Sequence, residues 1–160
     1  MLRSFLRMLD DDYNIITTVD ENDPRDLSLS YRVRVANQFP GSQTIFISIH
    51  NNAFNSKARG FEIYTTRGVT KSDALAESIA NSIEPYYKDL SLKLRYDTTD
   101  GDKDKEAEFY VLRRTACPAV LVECLFFDNA EDYALLKDPE FVKEISWRMF
   151  EGIRNYLKAQ

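Results

Sequence analysis

The sequence is short of histidine, cysteine, glycine and proline, and it has no surplus of positive charge. His50 is the single histidine among 160 residues. That excludes any site drawing two imidazoles from these residues, H-E-x-x-H zinc proteases among them. Cys117 and Cys124 are the only cysteines. The segment between them reads as a strand, which at about 3.3 Å per residue sets them beyond disulfide reach. They read as small half-buried hydrophobes and leave the redox compartment open. Five glycines and five prolines are too few for a collagen-like or low-complexity chain. No run of about 18 apolar residues occurs, so no membrane span is expected. Lys and Arg total 21 against 26 Asp and Glu, a net charge of −5. Binders of duplex nucleic acid carry a basic excess to neutralise phosphates, so nucleic acid is not an expected partner. Residues 1–9 lack the apolar core and small-residue cleavage site of a signal peptide. Their Leu2, Phe5, Leu6, Leu9 spacing is that of an amphipathic helix.

What is present suits one globular domain over residues 1–160, with 44% hydrophobic residues and a length sufficient for a core. β-rich residues 13–19 predict a strand, and the acidic stretch 20–26 a solvated loop. Ser28 caps a helix through Asn37, with Leu29, Val33 and Ala36 inward. Residues 44–50 read as a buried strand, 51–60 as a loop and 61–66 as a strand. Thr70 and Asp73 form a capping box for a helix ending near Pro85. Residues 92–96 suggest a short strand, and 97–106 an exposed acidic loop. Strands follow at 109–112 and 119–123. Asp138 and Pro139 open a long helix with Phe141, Ile145, Met149, Ile153 and Leu157 buried. Alternating strands and helices predict an α/β fold: three layers, a mostly parallel twisted sheet, helices on both faces.

In such sheets ligands sit beyond the carboxyl ends of strands. His50 ends one predicted strand and Glu123 another. Each alone is ordinarily a solvated or structural residue; two converging on one crevice favour chemistry. A Ser/His/Asp triad is arithmetically possible with His50, but no G-x-S-x-G elbow is present. No Gly-rich phosphate loop occurs, and Arg113-Arg114 is too short for a basic patch.

Five segments, in order, resemble a family. Phe46-Ile47-Ser48-Ile49-His50-Asn51-Asn52-Ala53 is similar to the F-V-S-I-H-A-N-A segment of zinc-dependent N-acetylmuramoyl-L-alanine amidases, the type 3 cell-wall amidases. Ser28 to Asn37 resembles their S-L-x-x-R-V-x-x-A-N helix, through Arg32 and Asn37. Ala58 to Tyr64 resembles A-R-G-x-E-x-Y, and Phe109 to Arg113 resembles F-Y-V-L-R. Pro118 to Asp132 resembles P-A-V-L-V-E-x-x-F-x-x-N-x-E-D.

The resemblance implies a peptidoglycan hydrolase, acting on the amide between N-acetylmuramic acid and the L-alanine of the stem peptide. It implies zinc held by two histidines and a glutamate, activating water beside a carboxylate that shuttles protons. By position, His50 resembles a metal ligand, Glu123 the catalytic glutamate, and Asn52 a substrate-side residue. Arg32 and Asn37 resemble helix positions with structural roles. The family's other histidine and ligand glutamate precede the region matched here. They are expected upstream of Met1, with the first strand of the sheet missing and an edge or gap left by it. Asp97 or Asp100 could replace a ligand, though no spacing supports it. The partner implied is peptidoglycan or a muropeptide, and the location is the cell wall, periplasm or exterior. The alternatives are a non-catalytic peptidoglycan-binding remnant of the same fold, or an unrelated α/β domain.

Overall fold

A computed structural model of the chain describes residues 1–9, 13–19, 22–97 and 101–160. Parts of the two expected acidic loops, residues 20–21 and 98–100, lie outside the described residues. The elements are α1 (Leu2–Leu6), α2 (Leu29–Ala36), β1 (Phe46–Asn52), β2 (Glu62–Thr65), α3 (Lys71–Asp89), β3 (Lys105–Glu106), α4 (Tyr110–Arg114), β4 (Ala119–Phe126), α5 (Ala130–Leu136) and α6 (Pro139–Lys158). The sheet order is β1-β4-β2-β3. β1 pairs with β4 in parallel, as β2 does with β3, while β2 meets β4 antiparallel. The sheet is thus mixed, with helices on both faces, as an α/β fold requires.

Strand β4 is the centre of the molecule because both of its faces are covered. Val120, Val122 and Cys124 point to the α3 and α6 side, where Leu75, Ile79, Ile83, Phe141, Ile145 and Met149 complete the larger core. Ala119 and Leu121 point to the other side, against Val33 and Ala36 of α2 and Val111 and Leu112 of α4. This is the continuous apolar run of a strand buried on both faces. α3 and α6 meet where Gly152 lies: a Cβ there would fall 2.6 Å from the Ile79 Cα, and Ser78 Oγ donates to the Gly152 carbonyl at 2.8 Å.

Several caps form as read. The Ser28 side chain accepts from Tyr31 N–H, Thr70 and Asp73 make their reciprocal box, and Asp138 accepts from Glu140 N–H. Cys117 and Cys124 are free and buried.

Other expectations fail for physical reasons. Residues 13–19 form no strand: among the described residues no backbone hydrogen bond joins them to β1, and a strand needs a ladder. Residues 109–112 are not a strand either, because β3 already occupies the outer edge of β2. They enter α4, whose turn buries the adjacent Val111 and Leu112 together. Leu29 is exposed, being the first residue of its helix. α3 runs past Pro85 to Asp89, since Ile83 and Tyr87 on either side are fully buried and hold the helix through the lost hydrogen bond. Residues 92–96 give only a bridge between Phe61 and Leu94. The segment read as an acidic loop supplies β3 and buries Asp104, whose Oδ2 accepts from Thr65 Oγ1. α5, which the sequence reading did not foresee, is capped by the Asn129 side chain.

Two predictions concern stability. Gly152→Ala forces α3 and α6 apart and should cost about 1–3 kcal/mol, read as a lower urea midpoint. Asp104 has its carboxyl pushed up to about 6 by burial. Above that pH the fold carries a buried charge that the unfolded chain keeps in water; below the unfolded value near 3.8 neither state is charged. Asp104→Asn should therefore stabilise the fold at pH 8 by on the order of 1–2 kcal/mol, with the gain fading as pH falls through 6 towards 4. An equal gain at pH 4 and pH 8 contradicts this.

Candidate active site

The register of three strands sets one row of side chains. His50 is the Cα partner of Glu123 across the parallel β1–β4 pair, and Glu62 is the partner of Glu123 across the antiparallel β2–β4 pair. Paired residues share a face, with strands about 4.8 Å apart. Alternation puts this row on the same face as Leu121, which is the α2 and α4 side. Both helices there are short, eight and five residues. Neither residue ends its strand as the sequence reading had it: pairing continues to Asn52 in β1 and Phe126 in β4, so the row lies inside the strands, short of their carboxyl ends.

Glu62 is almost fully buried and saturated with donors. Arg95 Nε and Lys105 Nζ each donate to Oε1 at 2.7 Å; Asn52 Nδ2 and Tyr64 OH each donate to Oε2 at 2.7 Å. Burial pushes its carboxyl up, but the bonds from Lys105, Arg95 and Tyr64 outweigh that and hold it below the usual value. Glu62 therefore stays ionised.

Glu123 is its opposite. Its Oε2 is buried and has no hydrogen-bond partner. Burial, and secondarily the Glu62 charge beside it, raise its carboxyl to about 7. Neighbouring carboxylates with opposed environments divide into a fixed charge and a titrating group. A carboxyl poised near neutrality is suited to taking a proton and returning it.

His50 Nε2 lies 2.8 Å from Ser48 Oγ, two residues back on the same face. Desolvation lowers the ring's proton affinity, and the Arg32 charge lowers it further, so the imidazole is neutral at pH 7. Asn52 spends both ends of its amide inside the protein: Nδ2 on Glu62, Oδ1 on the Ala53 N–H at 2.8 Å. Asn37 bridges to the far side of its layer, donating to the Arg114 carbonyl and accepting from Ala116 N–H, each at 2.9 Å. Arg32 Nε donates to the Leu27 carbonyl.

The loops after β1 and β4 are tied together at the same end. Asp128 Oδ2 accepts from the Phe54 and Ser56 N–H groups, and Phe127 N–H donates to the Asn52 carbonyl. Phe54 and Phe127, in these two loops, are left exposed. Asp132, fully buried, accepts from Gly60 and Phe126 N–H and from Arg59, which fixes the start of β2 against the end of β4.

The structure thus brings His50, Glu123 and Asn52 into one neighbourhood and places Asn37 outside it. Sequence reasoning did not single out Glu62, Arg95 or Lys105. Glu62 stood within the A-R-G-x-E-x-Y resemblance; Arg95 and Lys105 come from stretches with no motif, and only the fold reveals them.

The profile of the N-acetylmuramoyl-L-alanine amidase family matches residues 2–155. The chain belongs to that family. An endolysin of Bacillus phage SPP1 is 33% identical over 129 residues, covering 81% of this chain and 45% of the endolysin. The N-acetylmuramoyl-L-alanine amidase CwlM of Bacillus licheniformis is 32% identical, over 87% of this chain and 50% of its own. The catalytic domain of CwlV, an N-acetylmuramoyl-L-alanine amidase from Bacillus (Paenibacillus) polymyxa var. colistinus, superposes with a TM-score of 0.77 at 28% identity, over 99% of this chain and 80% of that one. The chain spans half or less of the length of these curated relatives. Among the described residues no helix is long and apolar enough to cross a membrane.

The contrast between the two glutamates is directly measurable. In carboxyl-labelled protein followed by NMR, Glu123 should titrate near pH 7. Glu62→Gln removes a negative neighbour and leaves Arg95 and Lys105 uncompensated, so the Glu123 midpoint should fall. An unchanged or higher midpoint contradicts the arrangement.

Proposed function

We propose that this amidase-family chain acts in hydrolysis of the amide between N-acetylmuramic acid and the L-alanine of the peptidoglycan stem, at the cell wall. The observation that supports it is the register pair of His50 and Glu123, with the unpartnered Glu123 oxygen, on the face of the sheet that carries the short helices α2 and α4. Glu123 would accept the proton of the attacking water and deliver it to the departing amine nitrogen. Burial, aided by the charge of Glu62 that four donors hold in place, would keep Glu123 near neutrality, and Asn52 would hold Glu62 in place rather than reach substrate directly.

Zinc does not fit the residues present by themselves. Among the described residues no three His, Cys, Asp or Glu side chains are grouped to hold a metal. A catalytic zinc takes three protein ligands; this chain offers one imidazole, and its Nε2 faces Ser48. Zinc is therefore proposed only for a site completed by ligands from outside residues 1–160. The same observation favours a second reading for the 160 residues alone, a module that binds peptidoglycan without cleaving it.

Purified muropeptides incubated with the chain, with and without added zinc, decide between them. Turnover appears as new L-alanine amino termini. Glu123→Gln should lower that rate by at least about a hundredfold while leaving sacculus binding intact. No release under either condition, with retention on sacculi, establishes the binding reading; neither release nor retention overturns both.

A further inference from the structure

Two segments line the edge of β2 away from β4. Residues 94–95 meet its start, where Arg95 N–H donates to the Phe61 carbonyl at 2.9 Å, and β3 pairs in parallel with its end. Each segment contributes a cation, and both cations reach back to Glu62 Oε1. The Glu62 side chain is 3% exposed while those of Arg95 and Lys105 are 36% and 27% exposed, so the carboxylate lies beneath them. Each cation is also held by a ring. Arg95 Cζ lies 5.4 Å from the centroid of the buried Phe126 ring. Lys105 Nζ lies 5.7 Å from that of Tyr64, which Phe109 meets edge-on at 5.2 Å. These contacts restrict both side chains before any ligand arrives. The charges around Glu62 do not balance: two cations meet one carboxylate, because Glu123 is raised towards neutrality. Arg95 gives Glu62 only its Nε and Lys105 one ammonium proton. The terminal guanidinium nitrogens and the other ammonium protons are not used by Glu62.

We propose that Arg95 and Lys105 form a subsite for a free carboxylate on the second residue of the stem peptide, the acid that balances the charge above Glu62. A guanidinium and an ammonium side by side suit a carboxylate, through charge-assisted hydrogen bonds. The position of the subsite rests on the amide hydrolysis proposed above. Glu123 returns its proton to the alanine nitrogen, so the stem begins over β4. β2 is the next strand of the sheet, about 4.8 Å away. One residue of extended chain advances at most about 3.6 Å. The second stem residue therefore brings its carboxylate over Glu62 and the two cations, while the carboxyl of the first is taken up in a peptide bond. Arg95 and Lys105 thus act twice: they hold Glu62 ionised from above, and they select the stem by its charge.

The test compares two probes, N-acetylmuramoyl-L-alanyl-γ-D-glutamyl-L-lysine and the same compound with the glutamyl α-carboxylate converted to its amide. Dissociation constants for the full chain are measured by NMR titration without added zinc. The acid should bind at least about tenfold more tightly than the amide. Arg95→Gln should erase that ratio by weakening the acid alone, and Arg95→Lys should restore part of it. Equal binding of the two probes by the unaltered chain overturns the subsite and leaves the hydrolysis reading standing. A loss in Arg95→Gln that is equal for both probes marks a purely structural role and also overturns it. Binding of neither probe overturns the subsite together with the reading on which it rests.

Discussion

The position of β4 between β1 and β2 governs everything that the molecule can do. Its parallel pairing with β1 sets His50 opposite Glu123, and its antiparallel pairing with β2 sets Glu62 opposite the same residue. A slip of one residue on either side would turn its partner to the other face of the sheet and dissolve the row. The register is held by burial: Val120, Val122 and Leu125 are wholly inaccessible, and moving them would expose a core that two long helices cover. The row of His50, Glu123 and Glu62 is thus fixed by packing on the opposite face of the sheet.

Within the row, two identical side chains are driven to different states. Glu62 meets two cations and two neutral donors; Glu123 has an oxygen with none. The cost of burying Glu62 is offset locally by its partners, and its charge is then passed on as an electrostatic field at Glu123. The division explains why Arg95 and Lys105, remote in sequence and without a motif, belong to the site. It also explains why Asn52, beside the histidine in sequence, points to Glu62.

How far the sequence could be read depended on the range of the forces involved. Capping at Ser28, Thr70 and Asp138 is local, and those helix starts were legible. The two strands carrying His50 and Glu123 were legible as apolar runs, but both strands run past the residues read as their ends, to Asn52 and Phe126, because pairing between β1 and β4 continues beyond them. Residues 13–19 and 109–112 were misread because β propensity describes a side chain's fit to a sheet, while strand formation needs a free edge within reach. One segment faces β1 across a cavity; the other met an edge already taken by β3. Glu62 was invisible as a functional group because its partners come from three separate segments.

The register is the claim on which the rest turns, and cross-linking tests it directly. His50→Cys and Glu123→Cys are introduced together in a background with Cys117→Ala and Cys124→Ala. Neighbouring Cα partners lie within disulfide reach, and residues on opposite faces do not. Mild oxidation should join the 50–123 pair readily and leave an Ile49→Cys, Glu123→Cys pair reduced. Failure of the first pair to close, or equal closure of both, would contradict the account.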